Sequence, residues 1–211
     1  MAYKSRVSDA VIRRLPMYYR HLRELEQAGV VRISSQDLGE KMNLTASQIR
    51  QDINCFGGFG QQGYGYNVEM LHAKIGNILG IDRGYKMIIV GAGHLGHALA
   101  NHHNFQKRGF TLVGIYDTDD AIIGTDIAGI KVESYDDIPA SLADKKPHIA
   151  ILAVPKAAVN DVAEKLVENG ITAMLNFTYA ELDLPEHVIV ENMHISDTLM
   201  TLSYGLTEKS D

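Results

Sequence analysis

Residues 86–117 read Lys86-Met-Ile-Ile-Val-Gly-Ala-Gly-His-Leu-Gly-His-Ala-Leu-Ala-Asn-His-His-Asn-Phe-Gln-Lys-Arg-Gly-Phe-Thr-Leu-Val-Gly-Ile-Tyr-Asp117, and the order of residue types in them decides the fold. An apolar run, Met87 to Val90, feeds into Gly91-Ala92-Gly93-His94-Leu95-Gly96, and a second apolar run, Thr111 to Tyr116, closes on Asp117. The first glycine permits a tight turn after a strand and the second lets backbone approach a pyrophosphate. The third lets the next helix pack on the sheet, and the acid receives a pair of ribose hydroxyls. Asp117 follows Gly96 by 21 residues, about the spacing this arrangement requires. A bare Gly-x-Gly-x-x-Gly is weak evidence. With strand, turn, helix and second strand in order, the pattern is a dinucleotide-binding fingerprint, and a Gly-rich turn without a ligand is the weaker reading.

Outward from this stretch, strand-like runs recur at 86–90, 111–116, 130–132, 148–154, 173–175 and 188–191, with helical patterns between several of them. In the clearest, 157–169, Val159, Val162, Ala163 and Leu166 share one face and Gly170 ends the run. Alternating strands and helices imply a Rossmann-type doubly wound parallel sheet in an α/β protein. Loops at the carboxyl ends of the strands should line the ligand cleft. That adds Ala153, Val154, Pro155, Asn176, Phe177 and Thr178 to Gly91, Ala92, Gly93, His94, Leu95, Gly96 and Asp117 as cofactor-binding candidates. Thr118, Asp119 and Asp120 follow Asp117, with no arginine to meet a 2′-phosphate, so NAD(H) is favoured over NADP(H).

Composition narrows the setting. At 45% hydrophobic and 22% charged residues the chain is ordinary globular protein, long enough at 211 residues for one large domain or two small ones. No apolar run approaches the roughly 18 residues of a membrane span, and Met1 to Arg6 lacks an apolar signal-peptide core. The expected location is the cytoplasm, with no membrane partner. The single cysteine, Cys55, excludes an intrachain disulfide and reads as a packed small hydrophobe rather than a redox thiol.

A net charge of −6 argues against nucleic acid, but the average misleads. Residues 1–80 hold ten Lys/Arg against seven Asp/Glu (+3), while residues 81–211 hold ten against nineteen (−9). Only the N-terminal part suits a polyanion. There, Val11, Leu15, Tyr18, Leu22 and Leu25 have the spacing of an amphipathic helix ending at Gly29, with a break predicted at Pro16. Ser34 to Asp37 reads as the cap of a short helix holding Leu38 and Met42, and Thr45 with Gln48 is a capping-box pattern opening another through about Asn54. Two short helices across a tight turn make a helix-turn-helix candidate.

In the second of these helices, Ala46, Ile49 and Ile53 should pack inward, leaving Ser47, Arg50, Gln51 and Asn54 on the other face. Arg pairs with guanine and Gln or Asn with adenine in the major groove. A merely solvated face would look the same, but the neighbouring residues shift the balance. Phe56 to Tyr66 interleaves five glycines with four aromatics, which suits a tight hairpin behind the helix-turn-helix, a wing able to lie near phosphates.

These features together resemble the Rex family of bacterial redox-sensing transcriptional repressors over essentially the whole chain. The matching segments are Arg14-Leu-Pro-Met-Tyr-Tyr-Arg20, Ile33-Ser-Ser35, Gln48-Ile-Arg-Gln-Asp52, Phe56 to Tyr66, Gly91 to Gly96, Ala153-Val-Pro155 and Leu175-Asn-Phe177. The resemblance implies an N-terminal winged helix-turn-helix domain (1–80) on double-stranded, inverted-repeat operator DNA. It also implies a Rossmann NAD(H) domain (81–191), release of the repressor by NADH, and a domain-swapped C-terminal helix (192–211) joining a homodimer. DNA-binding candidates are Arg14, Ser47, Gln48, Arg50, Gln51, Asn54, Gln61, Gln62 and Tyr64. Many relatives carry a basic residue in place of Gln51 and a basic pair in place of Gln61-Gln62, so a weaker salt dependence is expected here. In several relatives an aromatic hydroxyl and an acid link an arginine like Arg14 to the cofactor domain; those two positions are His102 and His194 in this chain. Phe105 or Phe177, closing over the nicotinamide ring, would disfavour the cationic oxidised form. The tail places Ile195, Leu199, Leu202 and Leu206 in one stripe that needs a partner.

Two other classes compete with this reading. A small dehydrogenase needs a substrate domain, but the sheet uses nearly all of residues 85–211. No Tyr-x-x-x-Lys pair occurs, and no His stands in an obvious proton-transfer constellation, so the chain is not expected to be an enzyme. A metalloregulator would use His94, His97, His102, His103 or His194. These lack a cysteine or carboxylate set of suitable spacing, and no metal is expected.

Overall fold

Val11, Leu15, Tyr18, Leu22 and Leu25 form the buried stripe of the first helix, α1 (Asp9–Gln27), in a computed structural model that describes residues 7–57, 60–61 and 64–208. The helix runs through Pro16 instead of breaking there. A proline in a helix interior costs about 3 kcal/mol. The stripe continues on both sides of it, and each large apolar side chain fully buried contributes roughly 1.5–3 kcal/mol. Packing therefore outweighs the local defect.

After β1 (Arg32–Ile33), Ser34 caps α2 (Ser35–Met42) by accepting from Asp37 N, and Asn43 ends it in the left-handed region at φ 54°. Thr45 caps α3 (Ala46–Asn54) by accepting from Gln48 N. The turn between α2 and α3 is tight enough that a Cβ on Gly39 would stand 2.5 Å from Leu44 O. β2 (Gly60–Gln61) and β1 pair antiparallel with the central β3 (Gly65–Asn67), with Arg32 opposite Asn67 and Gly60 opposite Tyr66. Helix α4 (Val68–Leu79) follows, capped by Asn67 and ended by Gly80 at φ 68°. It is an addition to the elements expected from sequence. Leu22, Leu38, Ile49 and Leu71 from the four helices meet in one core. Cys55 is exposed, contrary to expectation, because Ile49, Ile53 and Phe56 already supply the apolar side of that turn.

The chain divides into two compact units between Arg83 and Gly84. In the second unit, β4 (Tyr85–Val90), α5 (His94–Ala100), β5 (Phe110–Asp117), β6 (Asp126–Ile127) and β7 (Ile130–Ser134) are followed by α6 (Ile138–Lys145), β8 (Ile149–Leu152), α7 (Val159–Glu168), β9 (Ala173–Asn176) and β10 (Ile189–Asn192). The sheet order is β10-β9-β8-β4-β5-β7-β6. All pairings are parallel except β6 with β7, a two-residue antiparallel edge too short to show as a periodic run. The order reverses between β4 and β8, so the loops after these strands diverge and open a crevice at their carboxyl ends.

Ile88, Val90, Ala150 and Leu152 face the core beneath α6 and α7, while Met87, Ile89 and Ile151 face the opposite side. The last helix, α8 (Ile195–Thr207), has no buried residue, and Ile195, Leu199, Leu202 and Leu206 are 58–69% exposed. Among the described residues no helix is long and apolar enough to cross a membrane.

Candidate functional site

The crevice at the β4/β8 switch point is built by backbone contact. Gly91 adopts φ +96°, and a Cβ there would stand 2.4 Å from Ala153 O, so only glycine lets the loops after β4 and β8 touch. Gly96 lies so close to Gly91 that a Cβ would fall 1.8 Å from its carbonyl oxygen. Around Gly93, by contrast, nothing lies within 4 Å of a Cβ, leaving open the approach expected of a phosphate. Asp117 ends β5 and accepts from Ala92 N (2.6 Å), Thr118 N (2.7 Å) and Asp119 N (2.9 Å), which fixes its carboxylate at the crevice rim.

A cleft of about 600 Å³ results, lined by Gly91, Gly93, Asp117, Ala153, Val154 and Pro155 among the predicted residues. His94 lines an adjoining hollow with Ala92, Gly93 and His97. Leu95 is exposed on α5, and Gly96 is buried as the packing glycine. Among the described residues the cleft lining carries Asp117, Asp119 and Asp161 and no Lys or Arg, a poor seat for a 2′-phosphate and a fitting one for the ribose of NAD(H). Sequence reasoning missed Tyr135, Ala158 and Asp161; the last two precede or open α7, whose pattern showed only its packed face.

Three predicted residues are not among those that line this cleft. Asn176 is fully buried: its Nδ2 donates to Ala180 O and Asn192 Oδ1, and its Oδ1 accepts from Thr178 N and Oγ1. Asn176 and Thr178 thus satisfy each other and tie the loop after β9 to β10. Phe177 and Phe105 pack on Met87, Ile89 and Ile151. Successive strand residues point to opposite faces, so this is the face opposite Val90 and Tyr116, which line the cleft. His102 packs edge-on against Phe105, and His194 stacks on Tyr179 at 5.0 Å while standing 3.5 Å from Asp197. Among the described residues no three His, Cys, Asp or Glu gather to hold a metal ion.

In the N-terminal unit, Ser47, Arg50, Gln51 and Asn54 are exposed along α3 as predicted, and Arg50 Nη1 donates to Ser35 Oγ at 3.0 Å. Arg14 and Gln48 are engaged differently from expectation. Asp52 is 1% exposed and accepts from Arg14 Nε (2.7 Å), Arg14 Nη2 (2.8 Å), Tyr18 Oη (3.0 Å) and Gln48 Nε2 (2.7 Å). Arg14 therefore braces α1 against α3 before it meets any phosphate. Burial pushes the Asp52 carboxyl up, but hydrogen bonds from Arg14, Gln48 and Tyr18, with the Arg14 charge, outweigh it and hold the group below its ordinary value. Burial, and then the Asp52 charge and hydrogen bond, drive the Tyr18 phenol far upward. The Asp52 hydrogen bond raises Arg14. Sequence reasoning missed Asp52; its only signal was an acid four residues after Gln48 on a helix otherwise polar on one side.

Tyr64 stands exposed beside the hairpin, its carbonyl accepting from Arg32 Nη1 at 3.3 Å and its ring beneath that guanidinium. Gln61 lies on β2, while Gln62, like Gly58, Phe59 and Gly63, is outside the described residues.

A helix-turn-helix with a glycine-rich hairpin, followed in the same chain by a Rossmann unit with an acid-tipped second strand, defines a ligand-responsive transcription regulator. Residues 6–54 match the family described as "Putative DNA-binding protein N-terminus" and residues 82–180 the one described as "CoA binding domain". The chain belongs to the Rex family of redox-sensing transcriptional repressors. It is 50% identical over 209 residues to the redox-sensing transcriptional repressor Rex of Thermoanaerobacter pseudethanolicus, covering 99% of this chain and 93% of that one. Among solved structures, that of RSP with β-NAD+ and operator DNA is similar at TM-score 0.92 and 50% identity, covering 98% of this chain and 95% of the other. RSP with β-NADH is similar at TM-score 0.91 and 47% identity, covering 98% and 97%.

Proposed function

We propose that the chain is a cytoplasmic repressor, not an enzyme, that grips inverted-repeat operator DNA as a homodimer and lets go when its cleft exchanges NAD+ for NADH. The observation that carries this reading is the pairing, in one chain half identical to a Rex repressor, of an exposed Ser47-Arg50-Gln51-Asn54 face with an Asp117-tipped nucleotide cleft. Residues 1–80 serve DNA, residues 81–191 hold NAD(H), and residues 192–211 join the dimer.

On the DNA side, α3 enters the major groove with Ser47, Gln48, Arg50, Gln51 and Asn54, while Gln61, Gln62 and Tyr64 of the hairpin lie along the backbone. Arg14 serves the interface by holding α3 in place through Asp52. On the cofactor side, the backbone from Gly91 to Gly96 seats the pyrophosphate and Asp117 takes the ribose hydroxyls. Ala153, Val154 and Pro155 flank the nicotinamide half, and Asn176, Phe177 and Thr178 shape the loop behind them. Bound NAD(H) supplies a ring that is cationic when oxidised and neutral when reduced. Apolar walls such as Val154 and Pro155 disfavour the cation. Exchange of α8 between subunits covers the apolar stripe that this chain leaves bare.

The test is an operator titration at fixed salt, by fluorescence or gel shift, with the NADH/NAD+ ratio varied. Operator affinity is expected to fall by about 5- to 150-fold as NADH saturates the cleft, the range typical of linked sites. Equal affinity with saturating NADH and without cofactor would overturn the switch.

A further inference from the structure

Gln48 is the third residue of α3, and the N-terminal residues of a recognition helix are those that meet base edges. Its carboxamide has lost its freedom to turn over. Nε2 donates to Asp52 Oδ1 at 2.7 Å, and a flip would set Oε1 against that carboxylate oxygen, acceptor on acceptor. Asp52 cannot yield, because Arg14 grips both of its oxygens, Tyr18 donates to one of them, and the residue is 1% exposed. The same bonds keep the carboxyl ionised and unable to donate. Among the described residues Gln48 Oε1 has no hydrogen-bond partner. It is not buried either: the buried side-chain polar atoms left without one are His72 Nε2 and His194 Nε2.

We propose that Asp52 is a positioning residue that makes Gln48 a one-way reader, presenting Oε1 to accept a hydrogen bond from the exocyclic amino group of adenine or cytosine. In the major groove, adenine N6 and cytosine N4 donate, while guanine O6 and thymine O4 accept and repel a fixed carbonyl. Glutamine free to flip serves either set. Held by Asp52, it selects amino bases over keto bases at one position in each half-site. This inference rests on α3 being the groove-reading helix.

The experiment measures full-length protein on an operator in which each half-site position is replaced in turn, by fluorescence anisotropy. At one position the wild type is expected to prefer adenine or cytosine over guanine or thymine by about tenfold or more, the usual cost of a mismatched base pair. Gln48→Met keeps the side-chain length and should flatten that position to within about twofold while leaving the others unchanged. Where the preferred base is adenine, purine lacking the amino group should weaken the wild type and leave Gln48→Met unaffected. In DNA-free protein, the side-chain amide NMR signal that disappears in Gln48→Met should be protected from solvent exchange. A Gln48→Met profile identical to wild type would refute the reader, and an unprotected amide would refute its positioning by Asp52. If the wild type did not distinguish operator from scrambled DNA, α3 as recognition helix would fall instead.

Discussion

Replacing Gly96 by alanine places a methyl 1.8 Å from Gly91 O, 2.9 Å from Gly91 C and 3.4 Å from Ile89 Cγ2. Real Cβ atoms essentially never approach closer than 3.0 Å, and the obstruction is backbone, which cannot rotate aside. Helix α5 and the Gly91 turn must then separate by about 1 Å, and overpacking of this kind costs about 1–3 kcal/mol. Because Gly91 also touches the loop after β8, the distortion falls in the proposed pyrophosphate seat. Gly93→Ala is the control: Gly93 already has φ −61°, ψ −170°, and a Cβ there meets nothing within 4 Å. The paired assays are thermal melting without ligand and NADH fluorescence titration. Gly96→Ala should melt several degrees lower and bind NADH at least tenfold more weakly, as a 1–3 kcal/mol disturbance implies. Gly93→Ala should melt like wild type and still lose NADH, because its methyl fills the phosphate approach. Wild-type melting and NADH affinity in Gly96→Ala would refute the packing argument; undiminished NADH binding in Gly93→Ala would refute the placement of the phosphate.

Asp117→Asn puts an amide where three backbone N–H groups and a ribose must donate, and NADH affinity should drop about tenfold in the same titration. Removing residues after Asn192 should convert the proposed dimer to monomers by light scattering while the circular dichroism of the folded sheet stays like wild type at low temperature, because no residue of α8 is buried in its own chain. Acid should reveal Asp52. Its folded pKa lies below the unfolded one, so its stabilisation is complete above about pH 4 and drains away as pH falls through the folded value. In urea titrations of the N-terminal unit's transition, Asp52→Asn should lower the midpoint at pH 7 and narrow the gap from wild type as pH falls from about 4 to 2.

Local rules make much of both units readable. The caps at Ser34 and Thr45, the stripe of α1 and the 21-residue interval from Gly96 to Asp117 are short-range features, and the structure carries each of them. The capping box at Thr45 forms only by half, since the Gln48 side chain turns to Asp52 instead of back to the cap. α4 escapes notice although Asn67 and Gly80 bracket it, because the aromatic-glycine run before it points to a hairpin. Phe105 and Phe177 stand out in the sequence only as apolar groups able to close over a nicotinamide ring; which sheet face they join depends on strand register, and in the structure they pack with Met87, Ile89 and Ile151.

From the sequence alone came the two architectures, their order, the glycine-acid fingerprint and the polar face of α3, since each is written in spacing along a single helix, strand or turn. Only the tertiary structure decided that Arg14 and Gln48 converge on a buried Asp52, that Asn176 and Thr178 satisfy each other, and that Asp161 enters the cleft. The reason is that packing sets which way each side chain turns. Arg14 and Asp52 are 38 residues apart and leave no periodic trace in either segment, and even the near neighbours Gln48–Asp52 and Asn176–Thr178 pair only because burial directs their side chains at one another.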